Sequence, residues 1–329
     1  MSLFKKPSEL QAKSGLVAMI YGQPGSGKST LACSAPSAVM FDTDGGVNRI
    51  NGAHQIPTLQ VTKWEDIIDA MSEVKHSPEI QSIVIDTVGK MIAYIEEYII
   101  RTSTGNKIEV NRDGTLSLKG FGKRKQMFND FIKSAVTLGK NVIFVGHDKE
   151  EKRAGGDETV IRPEVGGSST NDLMKELDLV GYMEMNGNIR TITFTPTDRF
   201  YAKNTCDMPG VIPIPILINE NKEIVGNNNF FQNVIDNYRK RIQTNIENNK
   251  KLDEIKLDIE QNLEAVTDAD SANKFIEWCK TINHVYNSAA IAKTEISRRA
   301  KEIGLEFDSV NKVYVNKQHI QEKNDGNAS

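Results

Sequence analysis

The sequence predicts an α/β fold: a mainly parallel central sheet with an antiparallel hairpin addition, followed by a C-terminal α-helical domain. Three observations carry that expectation. Short apolar runs alternate with helical patterns through the first two thirds of the 329 residues, and each run ends in Gly or an acid, as buried parallel strands with crossover helices do. Asn186-Gly187 then sits between two strand-like runs, DLVGYMEM and NIRTITFT, as a two-residue hairpin turn would. From roughly Phe230 the apolar residues change to three- and four-residue steps, the spacing of one helix face.

Taken in order, residues 1–14 are polar and lack the apolar core of a signal peptide, and read as a flexible arm. The strand candidates are LVAMIY (16–21), AVMF (38–41), SIVID (82–86) and NVIFVG (141–146). The proline-spaced VIPIPILI (211–218) reads as an extended closing segment, because each proline lacks a ladder donor and biases its predecessor away from helix. A first domain over 15–230 is thus expected to join, near 230–245, a helical domain over 231–318. In that domain Leu252, Ile255, Ile259, Leu263 and Val266 form one stripe, and Phe275, Trp278, Ile282, Val285 and Ala289 a second. TDAD (267–270) between them supplies helix-capping residue types. Phe275 and Trp278 read as core residues, and 319–329 as a disordered tail.

Apolar content of 38%, charged content of 26% and a net charge of −3 describe an ordinary soluble chain, so any contact with nucleic acid must be local. Cys33, Cys206 and Cys279 lie far apart with no ligand spacing, which indicates neither a zinc site nor a disulfide framework. No apolar run is long enough to span a bilayer. The chain is expected in the cytoplasm, with no membrane partner.

The sharpest motif is GQPGSGKST, residues 22–30, which completes the pattern GxxxxGK[ST] directly after a strand and before a helix expected to run from Lys28 to the proline at 36. Backbone N–H groups across Gly22, Gly25, Ser26, Gly27 and Thr30 can cradle phosphates there. Lys28 is the expected counter-charge for the β and γ phosphates of ATP, and Ser29 the expected Mg²⁺ ligand. Asp86, at the tip of the buried strand SIVID, is the acid expected to hold the magnesium shell. An acid must also position the attacking water. Thr87 follows Asp86 where many AAA-type ATPases have an acid, so the candidates become Asp44 and, second, Asp42, in VMFDTDGG. The alternative is that both only cap a strand before the Gly45-Gly46 turn.

With these residues in view, the chain resembles the RecA-like ATPases over roughly 14–220, and more closely the phage nucleotide-binding proteins of that class that act in single-strand annealing and recombination. The resemblance rests on GQPGSGKST, FDTDGG, SIVIDTVGKM, NVIFVGHDKEEK and DRFYAKN. It implies that Asp44 stands in the place of the water-activating acid, which in bacterial recombinases is usually the longer glutamate. It implies that His147 senses the γ-phosphate, against the alternative of a hydrogen-bonded loop residue. It further implies a filament or ring in which Arg199 or Lys203 completes a neighbour's site; the rival is a solvated basic turn, and Asn204, Thr205 and Cys206 stand where the family tends to carry a further basic residue.

Two segments are expected to hold single-stranded DNA as mobile loops. Residues 101–125 carry seven Lys or Arg against two acids, with four glycines, and offer Arg112, Lys119, Lys123 and Arg124 for phosphates and Phe121 for base stacking. A solvated loop leading into a helix around 124–138 is the alternative. Residues 149–172 read as a long flexible loop offering Arg153 and Arg162, or equally as an acid-rich lid. The expected function is therefore a Mg²⁺-dependent ATPase that binds single-stranded DNA in annealing or strand exchange of the phage type, working in the cytoplasm, which is that of a bacterial host if the protein is phage-encoded. The alternative is a nucleotide-gated switch or loader that recruits a single-strand-binding, replication or packaging partner through the helical domain. A P-loop kinase is disfavoured because no arginine-rich lid is present.

Overall fold

The computed structural model describes residues 3–10, 15–103, 108–152, 158–166, 169–187, 189–219, 221 and 223–317. The chain divides into two compact units, Lys13–Lys240 and a second made of Met1–Ala12 with Arg241–Ser329.

The first unit begins with β1 (Val17–Gly22), the phosphate-loop helix α1 (Lys28–Ala32), β2 (Ala38–Asp42) and β3 (Thr58–Gln60). It continues through α2 (Trp64–His76), β4 (Ser82–Asp86), α3 (Val88–Thr102) and α4 (Leu118–Thr137). There follow β5 (Asn141–Lys152), β6 (Thr159–Pro163), α5 (Ser169–Glu176), β7 (Leu179–Asn186), β8 (Ile189–Thr193), β9 (Lys203–Asn204) and β10 (Val211–Ile214). The main path of the sheet runs β10-β8-β7-β1-β5-β4-β2-β3. From β7 to β3 every neighbouring pair on this path is parallel, whereas β8 and β10 add antiparallel. The expected α/β class holds. Its physical reason is visible in β1, where all six residues are buried: helices cover both faces, so the strand reads as a continuous apolar run rather than an alternating one. α2 closes one side with Trp64, Ile67, Met71 and Val74, and α3 does so with Val88, Met91, Ile92, Ile95 and Ile99, both at helical spacing.

Several expectations are corrected. Residues 149–172 are not a long loop: β5 runs on to Lys152 and pairs antiparallel with β6, from Asp148↔Pro163 to Lys152↔Thr159, and α5 begins at Ser169. Buried Val160 and Ile161 anchor this hairpin, and Ile161 exchanges backbone hydrogen bonds with Arg199 and Tyr201 at 2.8 and 3.2 Å. Arg153 lies outside the described residues. The segment before α4 is also shorter than a 101–125 loop, because the helix starts at Leu118. Ser117 caps it by accepting from the Gly120 amide at 3.2 Å, and Gly120 is no hinge: a Cβ there would come within 2.1 Å of the Glu109 carbonyl oxygen. The two-residue hairpin loop falls one residue later than expected, between the paired Asn186 and Ile189. α1 stops at Ala32, a turn earlier than the proline suggested. Strand β3, with no alternating pattern of its own, had no counterpart among the expected strands.

α6 spans Phe230–Glu264 without a break, so the polar stretch 230–245 is helix rather than linker, and the division between the units falls inside it. Phe231, Val234, Ile235 and Tyr238 form its buried stripe there, which the surrounding Asn, Gln and charged residues obscure in composition. Later come α7 (Ala269–Thr281), α8 (Ser288–Glu302) and a hairpin of β11 (Leu305–Asp308) with β12 (Val313–Asn316) that the helical reading did not foresee. In this second unit Ile255, Ile259, Leu263, Val266, Phe275, Ala292, Ile296, Leu305 and Tyr314 share one core, with Trp278 packed against it. Asp268 caps α7 reciprocally with Ser271, as TDAD implied. The second expected stripe belongs to two helices, since α7 ends before Ile282 and α8 begins at Ser288. Of the expected arm, Pro7–Glu9 form a 3₁₀ turn and the Ser8 hydroxyl donates to Asp253 at 2.5 Å. The expected tail at 319–329 lies outside the described residues.

Candidate nucleotide site

The C-terminal tips of β1 and β4, the middle of β5 and the turn after β2 open onto one cleft of about 590 Å³. Parallel strands direct their ends to one side of the sheet, which is why residues far apart in sequence meet there. Gly25, Gly27, Lys28, Ser29 and Thr30 line the cleft beside Asp44, Asp86 and His147. Gly22 and Ser26 support the loop from behind. A Cβ on Gly22 would stand 2.2 Å from the Met183 carbonyl oxygen, so only glycine lets β1 pass β7 into the loop. Ser26, 2% exposed, donates to the Gln23 carbonyl at 2.9 Å.

Lys28 donates to the carbonyls of Gly22 and Gln23 at 2.8 and 2.7 Å, and burial lowers its proton affinity against the opposing pull of Asp148 and Asp86. Asp86 is buried, and its carboxyl is pushed above the ordinary carboxylate range by desolvation. The Ser29 side chain lies beside that carboxylate and favours its charged form against the desolvation. Together the two residues suit magnesium. Mg²⁺ takes one or two protein oxygens and completes its shell with water and phosphate oxygens, and a hydroxyl beside a desolvated carboxylate is such a pair. Among the described residues no cluster of three or more His, Cys, Asp or Glu side chains offers another metal site.

The two aspartates at the end of β2 have separate work. Asp42, 2% exposed, accepts from the amides of Asp44, Gly46 and Val47 at 3.3, 2.9 and 3.0 Å, which ties the turn down. Thr43 latches the same turn to β4, its amide donating to the Asp86 carbonyl at 2.7 Å and its hydroxyl to the Thr87 carbonyl at 2.8 Å. The Asp86–Thr87 peptide is cis. Asp44 is thereby held at the cleft with 38% of its side chain exposed, 4.0 Å from Arg49. His147 sits opposite, at the bend of β5 into its hairpin, with a buried Nδ1 that has no partner among the described residues.

Other expected residues lie elsewhere. Arg199 is on the far side of β7, 3.4 Å from Glu184 and 68% exposed, and Lys203 donates to the Met174 and Lys175 carbonyls at the end of α5. Neither lines its own chain's cleft. Arg124 pairs with Glu96 at 2.8 Å and lies 4.8 Å over the Phe121 ring; Lys123 pairs with Glu109, and Arg162 with Glu151. Arg112, Lys119 and Phe121 are exposed. Sequence reasoning missed Arg49, Asn51 and the apolar Ile214, Leu217 and Ile218 on the cleft wall, and above all Arg190. Only the antiparallel return of β8 brings Arg190 to the phosphate loop, and nothing in the local pattern NIRTIT signals it.

No curated protein matches the chain. Among the described residues no helix is long and apolar enough to cross a membrane. The family model described as AAA domain matches residues 14–206, which takes in the whole phosphate loop, both acid-bearing strands and the His147 strand. A P-loop strand, a buried strand-end acid sharing one cleft with the loop serine and a mostly parallel sheet are the parts of a nucleoside triphosphatase, and with that match over more than half its length the chain belongs to the AAA domain family.

Proposed function

We propose that the protein is a Mg²⁺-dependent ATPase whose turnover serves single-stranded DNA in annealing or strand exchange. The observation that carries the hydrolytic part is the placement of Ser29 and the buried Asp86 together in a cleft that Lys28 and Asp44 also line. Ser29 and Asp86 would hold the magnesium, which supplies neutralisation of charge between the β and γ phosphates. Lys28 leaves its two loop carbonyls to counter the remaining phosphate charge. Asp44 orients the attacking water and accepts its proton, and His147 Nδ1 is the unpaired polar atom suited to a γ-phosphate oxygen. Ile214, Leu217 and Ile218 offer the adenine an apolar wall.

The DNA part is supported by Arg112, Lys119 and Phe121, exposed around the start of α4, where backbone phosphates and one base could be met without sequence preference. In a ring or filament the largely solvated Arg199 would be the residue offered to a neighbour. The ion pairs of Lys123, Arg124 and Lys125 with Glu109, Glu96 and Asp172 favour the second reading, a nucleotide-gated switch acting through the helical unit. ATP turnover measured with and without single-stranded DNA, beside a salt titration of binding, separates the two. The DNA reading expects stimulation and binding that weakens steeply with salt. Absence of binding at low salt refutes it and leaves the switch. Lys28→Ala abolishes turnover under both; if it does not, the cleft is not the hydrolytic site.

A further inference from the structure

We infer that Arg190 is a phosphate-binding residue acting in cis, the second fixed cation of the nucleotide site. This rests on the reading of the cleft as a nucleoside triphosphate site. A Cβ built on Gly27 would lie 3.4 Å from Nη1 of Arg190, so the guanidinium stands directly over the backbone of the phosphate loop, and Arg190 lines the same cleft as Lys28 and Ser29. It is mounted on a rigid element: β8 lies between β7 and β10, with Arg190 paired to Met185 on one side and Ile214 on the other.

Charge balance gives the guanidinium its role. Asp86 and Asp44 line the cleft, Asp42 lies just behind, and a triphosphate adds several more negative charges. Against these stand Lys28, already bonded to two carbonyls, Arg49, which is 76% exposed and beside Asp44, and Arg190. Among the described residues Arg190 makes no ion pair, although Arg199, after β8, and Arg162, on β6, each have one. A part-buried guanidinium left without a carboxylate beside a loop of backbone N–H groups fits an oxyanion in a forked hydrogen-bonding geometry. The cation is thus supplied by the chain that holds the nucleotide, and the site does not wait for a neighbour to obtain it.

The test titrates MgATP and MgADP into wild type, R190Q and R190M, with circular dichroism confirming that each is folded. R190M keeps the aliphatic stem against the sheet should the glutamine variant unfold. Loss of about ten- to hundred-fold in affinity for both nucleotides is expected, the value of hydrogen bonds to a charged group. R190K should recover only part of it, because an ammonium lacks the fork. Mixing R190Q with K28A, at an ATP concentration that saturates wild type but not R190Q, then tests the cis assignment: turnover stays at or below that of the R190Q protein alone if Arg190 serves its own chain's nucleotide, whereas a rise above it would assign Arg190 to a neighbour's site and overturn the inference. A folded R190Q or R190M that binds both nucleotides as wild type does also overturns it. A wild type that binds neither nucleotide refutes the nucleotide-site reading itself, and that is seen before any variant is compared.

Discussion

Asp42→Asn isolates the support of the catalytic turn from the chemistry. The wild-type carboxylate accepts three amides, two on Oδ1 from Asp44 and Gly46 and one on Oδ2 from Val47. Asparagine preserves the volume but has one acceptor oxygen. Whichever way the amide is turned, its NH₂ must face at least one of these N–H donors in a site that is 2% exposed. A buried donor left unsatisfied costs about 1–3 kcal/mol, and the surviving bonds lose their charge assistance. Asp42 also repels the buried Asp86 charge, so the substitution returns part of that cost. A net loss of about 2 kcal/mol lowers the melting temperature of a unit this size by roughly 4–8 °C. Because the same turn carries Asp44 and the Arg49–Asn51 wall of the cleft, kcat falls as well. Thermal melting by circular dichroism and steady-state ATP turnover measure the two effects. A variant that melts within about 1 °C of wild type with normal turnover would show that the turn is held by something other than Asp42.

Three further outcomes are expected. Asp44→Asn leaves nucleotide affinity close to wild type while turnover drops by about 10²–10⁴, the usual contribution of a positioned general base; persistent turnover would move the water-positioning role to another group. Asp86→Asn raises the melting temperature of the nucleotide-free protein, because burial holds the Asp86 pKa above its unfolded value of 3.8. A raised carboxyl stabilises the fold below pH 3.8 and loses that stability as pH rises through the folded value, so the advantage of D86N grows with pH across that window, while stabilisation by MgATP disappears; a D86N protein less stable than wild type at neutral pH refutes the account. Lys203→Met uncaps the end of α5 at a cost of about 1 kcal/mol and leaves kcat unchanged, seen in denaturant unfolding and turnover; collapse of kcat at unchanged stability would return Lys203 to a trans-acting role.

Local chemistry made much of this protein legible in one dimension. The phosphate loop needs its glycines, lysine and serine in sequence, and a strand buried on both faces must be a continuous apolar run, so β1, β2, β4, the start of β5 and the acid Asp86 could be read from adjacent residues. The same holds for the TDAD cap, whose hydrogen bonds span three residues. Segments rich in Gly and charge misled for a physical reason: Gly120 serves a close backbone approach, Lys123 and Arg124 are neutralised by the distant acids Glu109 and Glu96, and the 149–163 hairpin is secured by Arg199 and Tyr201. Those partners are invisible until the chain is folded. Tertiary structure decided which of the two aspartates at the end of β2 faces the cleft, since they stand two residues apart and only the three amides around Asp42 commit it to support. It alone set Lys203 at the end of a helix and Arg190 over the phosphate loop, because sheet order, which brings strands distant in sequence side by side, has no local signature.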